Sequence, residues 1–381
     1  MIPLAVPNIS GNEEAYLQEC VRTNFVSSVG PFVSQFEAAV ANETGAAGGV
    51  ATCSGTAGLH LALTALGVSR GDLVISPSFT FIATANAISH CGAEPWLFDS
   101  GEESWTLDID QVRDRLAAES ERFGAELRHK RTGKRISAIM VVYTLGHPGD
   151  MDGLKKIARD FNLPILADGA AALGAAYKNK PLADLADLTV FSFNGNKTIT
   201  AGGGGMVVGN DSELVNRMRH LSTTARVGED YHHDAVGFNY RLTNLQAAVG
   251  CAQMERLEEF VAKKRQIAAI YNSELGEVAG VKPFPAARWA SSACWFSGVS
   301  LEAGITKSLN EVCNKLKSRG IDAKMFWKPI HMQAPYMRAE REEMATTEAT
   351  WERVLTLPCS TSITADEQAY VIDAVRSVIG H

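Results

Sequence analysis

From about Val50 onward the apolar residues alternate between two spacings. A short run at 50–52 leads straight into SGTAGLHLALTAL, where Leu59, Leu63 and Leu66 recur at the spacing of one helix face. Runs at 72–75, 95–98, 136–143, 163–167, 187–193 and 205–208 read as strands. Several are almost continuously apolar, as strands are when helices cover both faces of a mostly parallel sheet. After Asn244 the pattern changes: Leu245, Ala248, Val249 and Ala252 open a long helical stretch that continues through Tyr271. Past Pro283 the chain becomes mixed α+β, and it closes with a helix announced by Thr364 and Glu367, the spacing of a capping box. The pattern predicts an α/β fold in two parts, a large domain over residues 1–250 and a smaller α+β domain over 251–381.

Composition narrows the classes. The 381 residues are 46% hydrophobic and 21% charged, which excludes a disordered or collagen-like chain and suits more than one core. A formal net charge of −7 argues against a nucleic-acid binder. The basic cluster Arg128, Lys130, Arg131, Lys134 and Arg135 lies in a charge-mixed stretch and reads as a solvated loop. Seven dispersed cysteines without a CxxC pair read as free thiols, and the absence of HExxH leaves no metal site to predict; His232-His233 reads as a loop feature. The long uncharged stretches 45–69 and 73–93 are broken by Gly, Ser, Thr, Asn, His and Pro, so no membrane span is expected. The start MIPLAVPNIS lacks the basic and apolar regions of a signal peptide, and the expectation is a cytoplasmic protein.

Ligands of open α/β sheets collect beyond the carboxyl ends of the strands, so the residues following each strand are the candidates. Ser54-Gly55-Thr56 opens a helix after the first strand. It is either an ordinary tight turn or a phosphate cradle, in which small residues let backbone N–H groups and the helix dipole face an anion. Neither a GxGxxG nor a GxxxxGK[ST] pattern is present. Asp168 ends the run 163–167 and precedes four small residues. It is either a helix N-cap or the partner of a protonated ring nitrogen, since a carboxylate in so apolar a segment needs a cation. Lys197 follows the run 187–193 and precedes the glycines 202–205. It is either a surface lysine or, with its pKa lowered by its neighbours, a Schiff-base amine. A phosphate grip, a ring-nitrogen partner and an amine are together what pyridoxal phosphate requires, and Phe79 or Phe81 is available to lie on its ring.

These residues fall in phrases that resemble the DegT/DnrJ/StrS nucleotide-sugar aminotransferases: NFVSSVGPFVSQFE (24–37), FTFIATANAI (79–88), FSFNGNK (191–197), GFNYRLTNLQAA (237–248) and FWKPIHMQAPY (326–336). The resemblance covers nearly the whole chain and is nearest to the branch acting on UDP-4-keto-6-deoxy-N-acetylglucosamine. It implies the pyridoxal-phosphate-dependent transferase type I fold, like that of aspartate aminotransferase. It implies transfer of an amino group from L-glutamate to a keto-deoxy nucleotide sugar, with pyridoxamine 5'-phosphate as the alternate cofactor form. Within it, Lys197 is the Schiff-base and proton-shuttling lysine, Asp168 the pyridine-nitrogen partner and Phe81 the stacking aromatic. Gly55, Thr56 and Ser192 are phosphate contacts. Asn239 reaches the phosphate from the neighbouring subunit of a homodimer with shared active sites, and Ser27, Lys328 and His331 line the sugar-nucleotide cleft. One departure stands out: where many relatives carry Glu, Gln or His near the cofactor's phenolic oxygen, this chain has Ala171. The alternatives are another GDP- or dTDP-linked sugar, a dehydratase on the same fold (for which Lys197 is the wrong residue) and a silent sensor.

Overall fold

The computed structural model describes residues 1–305 and 308–379. Its centre is an eight-stranded sheet in the order Gly48–Thr52, Gly205–Gly209, Leu188–Ser192, Ile165–Asp168, Ile136–Val142, Leu73–Pro77, Glu94–Phe98 and Glu340–Arg341. Gly205–Gly209 runs antiparallel to both its neighbours, and every other adjacent pair is parallel. Strands Leu73–Pro77 and Ile136–Val142 are buried at every position, as their continuous apolar runs require of strands covered on both faces.

Each strand the apolar pattern predicts is present, with ends shifted by up to two residues. The long helical stretch after Asn244 is two helices, Asn244–Met254 and Leu257–Gly276, broken at Glu255 and Arg256. Two amino-terminal helices, Glu13–Arg22 and Pro31–Thr44, lie outside the elements expected from the sequence; the second buries Phe32, Val33, Phe36 and Val40 against the central core. The capping box at the last helix, Ala365–Ile379, forms as expected: the Glu367 N–H donates to Thr364 Oγ1 at 3.1 Å, and the Thr364 N–H donates to Glu367 Oε2 at 2.9 Å.

A second hydrophobic core surrounds a four-stranded antiparallel sheet of Val281–Pro283, Ser297–Leu301, Val354–Leu357 and Lys324–Met325. The amino terminus also joins this core: Leu4 is buried in it and Ile2 bridges Ile321. Helix Leu257–Gly276 serves both cores, with Leu257, Phe260 and Val261 in the first and Ile267, Tyr271 and Leu275 in the second. The basic cluster lies on and beside a hairpin, Ser120–Phe123 with Glu126–His129, rather than in a loop. Its charges are locally matched: Arg128 to Glu126, Arg131 to Glu340, Lys134 to Glu94 and Arg135 to Asp72. Among the described residues no helix is long and apolar enough to cross a membrane, and no group of three or more His, Cys, Asp or Glu could hold a metal ion.

Candidate active site

The carboxyl ends of Gly48–Thr52, Ile165–Asp168 and Leu188–Ser192 open into one cavity of about 350 Å³, within the range of small-molecule sites. Gly55, Thr56, Phe81, Asp168, Ser192 and Lys197 all line it. Three of the bland alternatives open at the level of sequence fall away. Asp168 ends a strand and is followed by a turn, so it caps no helix. Lys197 is not a surface side chain. Phe79 is fully buried against Trp105 and Phe326, whereas Phe81, at the start of helix Ile82–His90, faces the cavity.

The corner of the cavity at the start of helix Gly55–Ala65 is built largely from backbone. Ser54 caps helix Gly55–Ala65, its Oγ accepting from the Ala57 N–H at 3.0 Å. A Cβ on Gly205 would lie 2.7 Å from the Ser54 carbonyl oxygen and 2.8 Å from Gly55 Cα, so only glycine allows the reversed strand to close on the helix start. A Cβ on Gly55 would stand 3.1 Å from the Ser192 side chain, which leaves Ser192 beside the exposed N–H groups of the helix.

Asp168 is buried and its carboxylate is held from two sides. Thr84 Oγ1 donates to Oδ2 at 2.7 Å, and the Ala170 N–H donates to Oδ1 at 3.2 Å. Thr80 extends the chain, its hydroxyl 2.8 Å from that of Thr84. Burial pushes the Asp168 pKa up, opposed by the Thr84 and Ala170 hydrogen bonds and then by the charge of Lys197. Burial lowers the Lys197 pKa to about 8, against the attraction of Asp168. The loop that carries the lysine is tightly tied: Phe193 N–H donates to Gly204 O, Ala201 N–H to Phe193 O, and Thr200 N–H to Gln253 Oε1. The glycines at 202–205 are thus the rim of the site, with Gly203 and Gly204 lining it, and not a loose turn.

An aromatic wall faces these groups. Trp295 stacks on Phe296 at 3.9 Å between centroids, Trp327 lies 5.7 Å from Trp295, and Phe81 lies 5.7 Å from Trp327. The Lys197 Nζ sits 3.7 Å from the centroid of Trp295. Ala171 lines the same cavity without a polar group. Phe81 was expected from the sequence; Trp295 and Trp327 were not singled out, because they lie about a hundred residues or more beyond the lysine, in the second core.

The remaining sequence candidates stand apart from this cavity. Asn239 is exposed in a separate open groove with Ser28, Arg226 and Arg241. Ser27 is exposed, its carbonyl accepting from the Asn244 N–H at 2.6 Å, and Lys328 is exposed. His331 is buried, with Nδ1 2.7 Å from Ser78 Oγ and Nε2 3.2 Å from Glu348 Oε1, and does not line the cavity.

The sheet topology and a half-buried lysine sharing a cavity with a buried aspartate define a pyridoxal-phosphate-dependent transferase of type I fold. The chain belongs to the DegT/DnrJ/EryC1/StrS aminotransferase family, whose model matches residues 7–376. GDP-perosamine synthase of Caulobacter vibrioides is 35% identical over 381 residues, covering 99% of this chain and 98% of its own. Among solved structures, the aminotransferase TlmJ from Streptoalloteichus hindustanus superposes with a TM-score of 0.89 at 27% identity, over 100% of this chain and 99% of its own. DesV of S. venezuelae, solved in complex with a ketimine intermediate, matches with a TM-score of 0.86 at 30% identity, over 97% of this chain and 95% of its own. The chain is a sugar aminotransferase. The cavity fits the cofactor by its own chemistry: one end offers unpaired helix N–H groups, the other a buried carboxylate, with an amine between aromatic and glycine walls.

Proposed function

We propose that this enzyme moves an amino group from L-glutamate to a keto-deoxy sugar linked to a nucleoside diphosphate, with GDP as the first nucleotide to test. The observation that carries the reading is that Lys197 and Asp168 share one cavity with the start of helix Gly55–Ala65. The similarity to GDP-perosamine synthase shifts the preference from the UDP-linked sugar that the sequence phrases suggested toward a GDP-linked one.

When bound, pyridoxal phosphate supplies an electron sink that allows an amino group to pass between carbon skeletons. The chain supplies the rest. The N–H groups opening helix Gly55–Ala65, with Thr56 and Ser192, would hold the phosphate, where the helix dipole favours an anion. Phe81 would cover the ring. Asp168, its carboxylate oriented by Thr84 and Ala170, would hold a proton on the pyridine nitrogen. Because burial lowers its pKa to about 8, Lys197 loses its proton far more readily than an ordinary lysine. Its amine can therefore act as nucleophile and can both take and return a proton.

Both substrates are anions, and among the described residues lining the cavity Lys197 is the one cation. Asn239, with Arg226 and Arg241 beside it, would complete the site of a second subunit in a homodimer. Ser27 lies next to that groove and is proposed to contribute from the same side. Lys328 is proposed to meet the nucleotide phosphates at the mouth. His331 would act through its loop, anchoring the segment that follows Trp327 by its hydrogen bond to Ser78.

The test is a pair of half-reactions. Glutamate should convert the enzyme to its pyridoxamine form, and after removal of excess donor one of a GDP-, UDP- or dTDP-linked 4-keto-6-deoxy sugar should return the original absorbance. Return with the GDP sugar supports the proposal. Return only with another nucleotide reassigns it, and failure of glutamate itself would favour a sensor. Lys197→Ala should abolish attachment of the cofactor by borohydride reduction.

A further inference from the structure

Transamination requires the reactive lysine to leave the cofactor and come back, so its free amine needs a place to wait. In the structure Lys197 Nζ lies over the face of Trp295, 3.7 Å from the ring centroid. That is well inside the range in which an indole attracts an ammonium, and Trp is the strongest of the three aromatic partners. The ring is only 2% exposed and is fixed on several sides. Its indole N–H donates to the Asn196 carbonyl at 2.7 Å, its face stacks on Phe296, and its backbone N–H donates to Leu145 O at 3.2 Å.

A second lysine completes the support. Lys264 is 2% exposed in the middle of the helix shared by the two cores. Its Nζ donates to the carbonyls of Trp295 at 3.0 Å and Cys359 at 2.7 Å, with Cys359 Sγ at 3.6 Å. All three acceptors are neutral, so this charge is held without the usual help of a carboxylate at those contacts. What it achieves geometrically is to pin the main chain at Trp295 to Cys359, whose N–H in turn donates to Leu4 O.

We propose that Trp295 is the resting face for the freed amine of Lys197, and that Lys264 is the positioning residue that holds this face in register from the second core. The inference rests on Lys197 being the cofactor-bonding lysine. Ammonium on the indole face is favoured over neutral amine, so Trp295 keeps part of the proton affinity that burial removes. The amine is thereby held close to the cofactor in the form that can donate a proton.

The test uses full-length protein freed of cofactor. Modification of Lys197 by trinitrobenzenesulfonate is followed by peptide mass from about pH 6 to about pH 10. Tryptophans carrying one, two or three ring fluorines are placed at position 295, which weakens the ring's attraction while hardly changing its shape. The midpoint of modification should fall stepwise, by about half a unit or more across the series. Lys264→Met should lower it as well, with the loss restored in part by Lys264→Arg. A flat fluorine series overturns the role of Trp295, and a wild-type midpoint in a folded Lys264→Met protein overturns that of Lys264. The fluorinated proteins keep the first test alive if Lys264→Met does not fold. Failure of the underlying reading looks different: borohydride would attach the cofactor to another residue whatever the midpoints do.

Discussion

Lys197 and Asp168 are placed where neither is comfortable alone, and their pairing is what the site is built to preserve. Because the folded pKa of Lys197 lies below its ordinary 10.5, the unfolded chain binds more protons between about 8 and 10.5. The penalty for folding around this lysine is therefore complete below pH 8 and fades as pH rises toward 10.5. In the absence of cofactor, Lys197→Met should be more stable than wild type by on the order of 1–3 kcal/mol at pH 7. The gap should close in alkaline solution, as followed by chemical denaturation at each pH. Asp168→Asn should lower turnover by about 100-fold or more, the loss seen when an aimed charge is removed from a reacting site. Thr84→Val removes the shorter of the two donors to that carboxylate. It should cost roughly 10-fold in the rate of the glutamate half-reaction, largely recovered in Thr84→Ser. A Thr84→Val enzyme with unaltered kinetics would show that the Ala170 N–H suffices.

At the scale of elements, the decisive contact is between the start of helix Gly55–Ala65 and the first residue of strand Gly205–Gly209. The sequence left Gly55 open between a tight turn and a phosphate cradle and assigned Gly205 no partner, because a single chain segment does not reveal what presses against it. The 2.7 Å approach to Ser54 shows the reason for Gly205. Gly205→Ala should therefore force the helix start away from the strand and weaken cofactor binding at least about 10-fold, measured by equilibrium dialysis. Ser54→Ala should lower stability by about 1 kcal/mol through the lost cap. The break between Asn244–Met254 and Leu257–Gly276 lay hidden because both halves keep helical spacing, and only packing against separate surfaces turns the chain at Glu255 and Arg256. Of the two amino-terminal helices, Pro31–Thr44 does carry helical spacing in Phe32, Val33, Phe36 and Val40, whereas the first carries no such signal. Glu13–Arg22 buries only Glu13 and Cys20, too few positions to set a period.

In the whole molecule the site draws on both cores: Lys197, Asp168 and Ser54 from the large sheet, Trp295 and Trp327 from the segments of the second. If Asn239 serves a neighbouring subunit, Lys197→Ala and Asn239→Ala enzymes mixed and refolded together should form hybrids with one intact site. Such a mixture should regain up to about a quarter of wild-type activity, as half of random dimers carry one good site of two. No recovery by a mixture in which hybrids are demonstrated would place Asn239 on its own subunit's task. The strand-end positions of Asp168 and Lys197, the helix start at Ser54 and the α/β alternation were determined by the sequence itself. Each is expressed within a few neighbouring residues through periodicity, composition and turn chemistry. The contribution of Trp295 and Trp327 to the aromatic wall, the lowered pKa of Lys197, the need for glycine at 205 and the buried station of His331 were decided only by the tertiary structure. They arise from segments far apart in the chain, and burial, which sets both pKa and close approach, exists only once those segments have met.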